Sequence, residues 1–188
     1  TNTKGSIIAL NPILEKLNFL IDTRKNIMNT SINNQTKKQK LYLLVGAPGS
    51  GKSTWGKQYA KDNGIVYLSS DEYRAKFGKS EDDQTVSGAV FGYLRNKVKM
   101  LVSAGQSVMV DATNMSRDDR KAFLNIVKFN NQIEKIAVVF EVSRGELIKR
   151  NTERGAKGGR NIPVDVIDRM LGKYQRPNDS DFDQVILK

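Results

Sequence analysis

From Leu41 onward, short apolar runs alternate with longer stretches in which apolar residues recur every three or four positions. Leu41–Val45 is a continuous β-favouring run, and Ile65–Leu68, Ser107–Val110, Ile136–Val142 and Phe182–Leu187 repeat the pattern. Between them the periodicity predicts helices over Lys52–Asp62, Glu72–Phe77, Thr85–Ala104, Ser116–Asn130, Glu146–Arg154 and Pro163–Lys173. Their ends carry the expected punctuation: Asn63-Gly64 and Gly105 as stops, Ser116 as a cap with Asp118 and Asp119 in the first turn. Strands alternating with helices predict an α/β domain of parallel βαβ units with right-handed crossovers. Residues 1–40 read differently. Asn11 and Pro12 suit a helix start, Ile13, Leu14, Leu17, Leu20 and Ile21 follow at helical spacing, and Asn29–Lys40 is a polar linker. The expected organisation is a helical leader and linker over 1–40, then one domain over 41–188.

The first strand runs into Gly46-Ala47-Pro48-Gly49-Ser50-Gly51-Lys52-Ser53-Thr54, which fits G-x-x-x-x-G-K-[ST]. Each part has a chemical reason. The glycines let the backbone approach a ligand closely, and successive N–H groups from Ala47 to Thr54 can cradle phosphate oxygens at a helix N-terminus. Lys52 reaches the β- and γ-phosphates and the Ser53 hydroxyl binds Mg²⁺. The predicted ligand is ATP, or another nucleoside triphosphate, with Mg²⁺.

Composition narrows the chemistry. The 188 residues include no cysteine, which excludes disulfides and thiolate metal sites and makes the cytoplasm the expected compartment. Histidine is also absent, so a general base must be a carboxylate or a lysine. No apolar run approaches a membrane span, and the first residues lack a signal-peptide pattern. The formal charge of +11 is uneven: residues 1–40 carry net +5 and residues 144–160 net +4. Such an excess suits a polyanionic partner such as nucleic acid, or simply phosphate binding and solubility.

Three further constellations carry candidate chemistry. In Ser69-Ser70-Asp71-Glu72-Tyr73-Arg74 the carboxylate of Asp71 falls at the carboxyl end of a strand, where it can accept a hydroxyl proton, and Arg74 shares its helical face and can hold an anionic part of the acceptor. The plainer reading is a helix cap with an ion pair. Val108-Met109-Val110-Asp111 is an apolar strand ending in an acid; Asp111 can bind Mg²⁺ through water, orient Arg74 or an acceptor group, or cap a loop, with Asn114 beside it. In Glu146–Gly155, Arg150 and Arg154 share one helical face before a glycine-rich stretch, as in a mobile lid closing over phosphates, or as in a solvated basic helix.

Taken together, GAPGSGKSTW, SSDEYR, DATN followed by Arg120, and ELIKRNTERG with IPVDVIDRM resemble the polynucleotide 5′-kinase domain of bacteriophage and bacterial nucleic-acid repair enzymes. The likeness covers about Leu41–Lys188, in order. It implies a P-loop kinase fold with a five-stranded parallel sheet ordered 2-3-1-4-5, flanked by helices, with a mobile arginine-bearing lid. By the same resemblance, Lys52 and Ser53 bind donor phosphates and metal, Asp71 is the base on a 5′-hydroxyl, Arg74 holds the adjacent phosphate, Asp111 and Asn114 support the acceptor site, and Arg154 with Arg150 clasps the donor. The implied partners are 5′-hydroxyl ends of RNA or DNA and an RNA or DNA ligase of the same pathway, in a bacterial cell or phage-infected host. No phosphatase domain accompanies the kinase motifs, so 3′-end healing is not expected, and the leader has no counterpart in the family. Two rivals stand beside this reading: a small-molecule P-loop kinase, such as a toxin-type nucleotide-sugar kinase, and an ATP-binding module with weak turnover.

Overall fold

The computed structural model describes residues 38–188; the leader helix and most of the linker expected over 1–40 lie outside the described residues. Five strands form one parallel sheet: β1 (Gln39–Val45), β2 (Val66–Ser69), β3 (Val108–Asp111), β4 (Ile133–Val139) and β5 (Gln184–Leu187). Their order is β2-β3-β1-β4-β5, as the resemblance implied. The helices between them are α1 (Lys52–Asn63), α2 (Ser70–Phe77), α3 (Ser87–Ser103), α4 (Arg117–Leu124), α5 (Arg144–Ala156) and α6 (Val164–Gly172), with a 3₁₀ turn at Gln84–Val86.

The central strand explains the continuous apolar signal. Leu41, Leu43 and Val45 pack on one face with Val90, Leu94, Val98 and Phe123, while Tyr42 and Leu44 pack on the other with Ala60, Met109 and Phe140. Both faces of a parallel sheet are covered, so both sides of the strand are apolar. On its far face α1 comes very close: a Cβ added at Gly56 would lie 2.7 Å from Leu44 Cδ1.

Several boundaries differ from expectation, and four of them bear on the sheet or the site. β1 starts at Gln39 because Lys40 N donates to Ser107 Oγ and the strand pairs from Gln39↔Ile133 onward. β4 begins at Ile133 rather than Ile136; Glu134 and Lys135, which look like loop residues, are tolerated because Lys40 pairs with Glu134 at 3.4 Å and Lys135 with Asp183 at 3.8 Å. α4 stops at Leu124 instead of Asn130, where Ile126 and Val127 tighten into i→i−3 turns. α2 starts two residues early, so Asp71 sits in its first turn.

Candidate active site

The carboxyl ends of the strands open into a cleft of about 520 Å³. Its floor is the loop between β1 and α1. Gly49 and Gly51 adopt φ of 83° and 94°, which a side chain would strain, and a Cβ at Gly46 would lie 3.0 Å from the Phe140 carbonyl. Gly46 N donates to Thr113 O at 3.0 Å, fastening the loop to the end of β3. Lys52 opens α1 and is buried; its Nζ donates to Ala47 O at 2.9 Å and to Ser50 Oγ at 3.4 Å. Burial pushes its ammonium down from 10.5 to about 8, against the upward pull of Asp111 and Asp71. Pro48, Gly49, Gly51, Ser53 and Thr54 line the cleft with it, whereas Ala47 and Ser50 do not.

The wall on the β2–β3 side carries the carboxylates. Ser69 caps α2 by accepting from Glu72 N at 3.3 Å, so Asp71 is not used as the cap. Asp71 Oδ1 instead accepts from Arg74 Nη1, and Arg74 Nε donates to Ser87 Oγ at 3.4 Å. Asp111, at the buried end of β3, accepts from the Tyr67 hydroxyl; burial and then Asp111 itself push that hydroxyl's pKa up. Of the roles left open for Asp111, the structure shows neither contact with Arg74 nor capping, since α4 is capped by Ser116. Asn114 takes φ 47° and donates to Leu44 O at 2.8 Å; its Oδ1 has no partner among the described residues. Its amide nitrogen therefore ties the cleft floor to β1, and its oxygen is buried. Arg120, part of the same motif, is structural: its buried guanidinium donates to the carbonyls of Asn114, Met115 and Gln175.

The opposite wall is α5. Arg150 and Arg154 both line the cleft, as their spacing required. Arg150 pairs with Glu146 at 2.7 Å. Arg154 donates to Arg160 O at 2.6 Å and to Asn151 Oδ1 at 3.1 Å. Glycines in the last turn of α5 and just after it allow close packing here: a Cβ at Gly155 would meet Asn161 at 2.9 Å, and one at Gly159 would meet Arg154 Cγ at 2.8 Å.

Sequence reasoning missed three residues. Asn151 is buried and knits the segment after α5 to the helix through Asn161 and Ile162. Tyr67 holds Asp111. Arg160 reaches from beyond α5 to Asp71 and Asp82. It lies within the basic stretch 144–160, but its partners are distant in the chain and nothing local marks it.

A profile of the AAA domain family (AAA_33) matches residues 41–177. The chain belongs to this family. A mimivirus protein (Acanthamoeba polyphaga mimivirus) named as a bifunctional polynucleotide phosphatase/kinase is 26% identical over 122 residues, covering 65% of this chain and 25% of that protein. An adenylate kinase of Helicobacter hepaticus is 26% identical over 158 residues, covering 74% and 80%. Among solved structures, a chain of the Pnkp1/Rnl/Hen1 RNA repair complex superposes with a TM-score of 0.61 at 28% identity, covering 75% of this chain and 45% of that one. The chain thus spans a quarter of the viral protein and less than half of the repair-complex chain. These findings bear out the resemblance to the P-loop polynucleotide kinase family. No helix among the described residues is long and apolar enough to cross a membrane.

Proposed function

We propose that the chain transfers the γ-phosphate of ATP to 5′-hydroxyl ends of RNA or DNA. The observation that carries this reading is the Asp71–Arg74 pair, set in one cleft with the phosphate-binding lysine. A carboxylate there can take the proton of an attacking hydroxyl, and the guanidinium beside it can hold the phosphate that follows a 5′-terminal nucleotide. The hydroxyl oxygen bonds to the γ-phosphorus as the bond from that phosphorus to the β,γ-bridging oxygen breaks; ADP leaves and the proton stays on Asp71. Lys52 and the cleft arginines Arg150 and Arg154 neutralise the charge on the phosphates in transit. The Ser53 hydroxyl and Asp111 carboxylate, both hard oxygens in the same cleft, suit a Mg²⁺ held by one or two protein oxygens and the phosphates. When bound, that ion neutralises the β- and γ-phosphates. We read Glu146–Gly155, which carries Arg150 and Arg154, as the lid that closes over them.

The net charge of +11 supports a polyanionic acceptor, and the sequence similarity to the viral polynucleotide phosphatase/kinase points the same way. The 5′-phosphate product is the end that a nucleic-acid ligase consumes, which makes such a ligase the expected partner in a cytoplasmic repair pathway. A second reading, a nucleotide kinase, is favoured by the adenylate kinase similarity, because there the chain spans most of the relative's length.

The test is kcat/KM for a nucleoside, its 3′-monophosphate, a short 5′-hydroxyl oligomer and AMP, each at two salt concentrations. We expect oligomer > 3′-monophosphate ≫ nucleoside, with the oligomer's advantage shrinking as salt rises. AMP outperforming all three would replace the polynucleotide reading with the nucleotide kinase.

A further inference from the structure

Asp71 is gripped from two sides. Arg74 donates to its Oδ1 from the same helix. Arg160 Nη1 donates to its Oδ2 at 3.2 Å from the segment that follows α5, on the other side of the cleft. Arg160 also forms an ion pair with Asp82, in the loop between α2 and the 3₁₀ turn. Its side chain is only 12% exposed, while Asp71 and Asp82 are 45% and 54% exposed. The backbone that carries it is fixed to α5, because its carbonyl accepts from Arg154. Two guanidinium groups, one from each wall, therefore converge on the two oxygens of one carboxylate.

That geometry has a consequence for Asp71. A carboxylate with an arginine on each oxygen has its lone pairs engaged, so it is poorly placed to accept a hydroxyl proton. A phosphodiester or phosphate monoester presents two anionic oxygens that match the same pair of forks. We infer that Arg160 is a specificity-determining residue that binds the acceptor's own phosphate together with Arg74, and that this exchange frees Asp71 to act as base. An acceptor without the phosphate leaves Asp71 clamped. Asp82 competes for Arg160 and holds it in place until the phosphate arrives. This inference rests on the acceptor being a phosphate-bearing nucleotide, as proposed above.

The experiment has two arms, run on the wild type, Arg160→Ala, Arg160→Lys and Asp82→Asn. The first is calorimetric binding of a nucleoside 3′-monophosphate, and of the plain nucleoside, in the absence of ATP. The second is steady-state turnover with the 3′-monophosphate and with a 5′-hydroxyl oligomer. Arg160→Ala should weaken the 3′-monophosphate by roughly 10–100-fold, the worth of a charge-assisted contact. It should raise the acceptor KM in the same proportion, leave the ATP KM in place and leave the nucleoside unaffected. Lysine should restore only part of the loss, because it lacks the fork. Asp82→Asn should act in the opposite direction and tighten the 3′-monophosphate, since a competing carboxylate is gone. If Asp82→Asn weakens the acceptor as Arg160→Ala does, the pair is a structural strap and the inference is wrong. The two proposals fail separately. Turnover of the oligomer without Arg160-dependent binding overturns this inference alone. Arg160-dependent binding without turnover of any 5′-hydroxyl end overturns the polynucleotide reading alone.

Discussion

The two sides of the cleft hold their functional groups by different means. On the proposed donor side, Lys52 and Arg154 donate to backbone carbonyls, those of Ala47 and Arg160, and only Arg150 is held by a charged partner, Glu146. On the acceptor side, Asp71, Arg74, Arg160 and Asp82 hold one another as charged groups. A neutral carbonyl gives up an ammonium to a phosphate without leaving a buried countercharge behind. A charge network rearranges only when an incoming group of the right sign replaces the one that leaves. In the reading proposed above, the donor side takes any triphosphate that fits the loop, and the acceptor side tests what enters.

If that division is right, the largest effect belongs to the donor lysine. Lys52→Met should lower kcat/KM by at least ~10³-fold. Its thermal midpoint should hold or rise, because the substitution removes a buried group whose charged form is disfavoured. Turnover within tenfold of wild type would take the loop out of the mechanism.

Asp71→Asn keeps the shape and removes the base. A loss of ~10²–10⁴-fold in kcat is expected, with nucleotide affinity unchanged by equilibrium titration. A collapse of nucleotide affinity instead would move Asp71 to the donor side and erase the contrast.

Arg154→Ala should slow turnover by ~10²-fold with little change in acceptor KM, and Arg154→Lys should recover only part of it. The kinetic constants for both substrates decide this; an acceptor KM that rises with the loss would mean that the arginine reports on the wrong side.

A pH test sharpens the donor half further. Between about 8 and 10.5, Lys52 is mostly neutral in the folded protein and protonated when unfolded, so stability should rise with pH across that window. Triphosphate binding favours the ammonium, so above pH 8 it must take up a proton and weaken by up to ~10-fold per pH unit. Calorimetry at pH 8.5 in two buffers of different ionisation enthalpy measures that uptake directly; equal heats would mean that Lys52 stays charged throughout.

The smallest expected effect is at Tyr67. Phenylalanine there removes the hydroxyl that Asp111 accepts from, at ~1 kcal/mol of stability by chemical denaturation and a few-fold in kcat.

The same contrast decides what could be read from the sequence. The glycine-rich loop and its strand–turn–helix context were legible, because the pattern lies in consecutive backbone positions. Most elements were legible too, since β3 and most of β1 and β4 are apolar runs, and the sheet order followed from the family resemblance. Asp71 and Arg74 were legible as a pair because they are three apart on one helix. Arg160 was not: its bond to Asp71 spans 89 residues, and only the folded chain brings the two together. Asn114 was read as a binding residue, yet its amide nitrogen is committed to Leu44. Such tertiary use of a polar side chain leaves no local pattern. Strand β4 was misplaced by three residues because Glu134 and Lys135 find partners that no window of sequence contains.

The central position of β1 also bears on how the chain is made. Both neighbours of this strand, β3 and β4, lie far downstream, with Leu41 paired to Val108 and Gln39 to Ile133. At ~5–20 residues per second, the ribosome finishes β4 roughly 5–20 s after β1. Through that interval the segment Leu41-Tyr42-Leu43-Leu44-Val45 has no strand beside it to satisfy its backbone. The nascent chain is therefore exposed to aggregation through this apolar run until the sheet closes around it. Arrested chains that end before Val139 should be cut readily by protease within this segment, and chains released after Leu187 should resist.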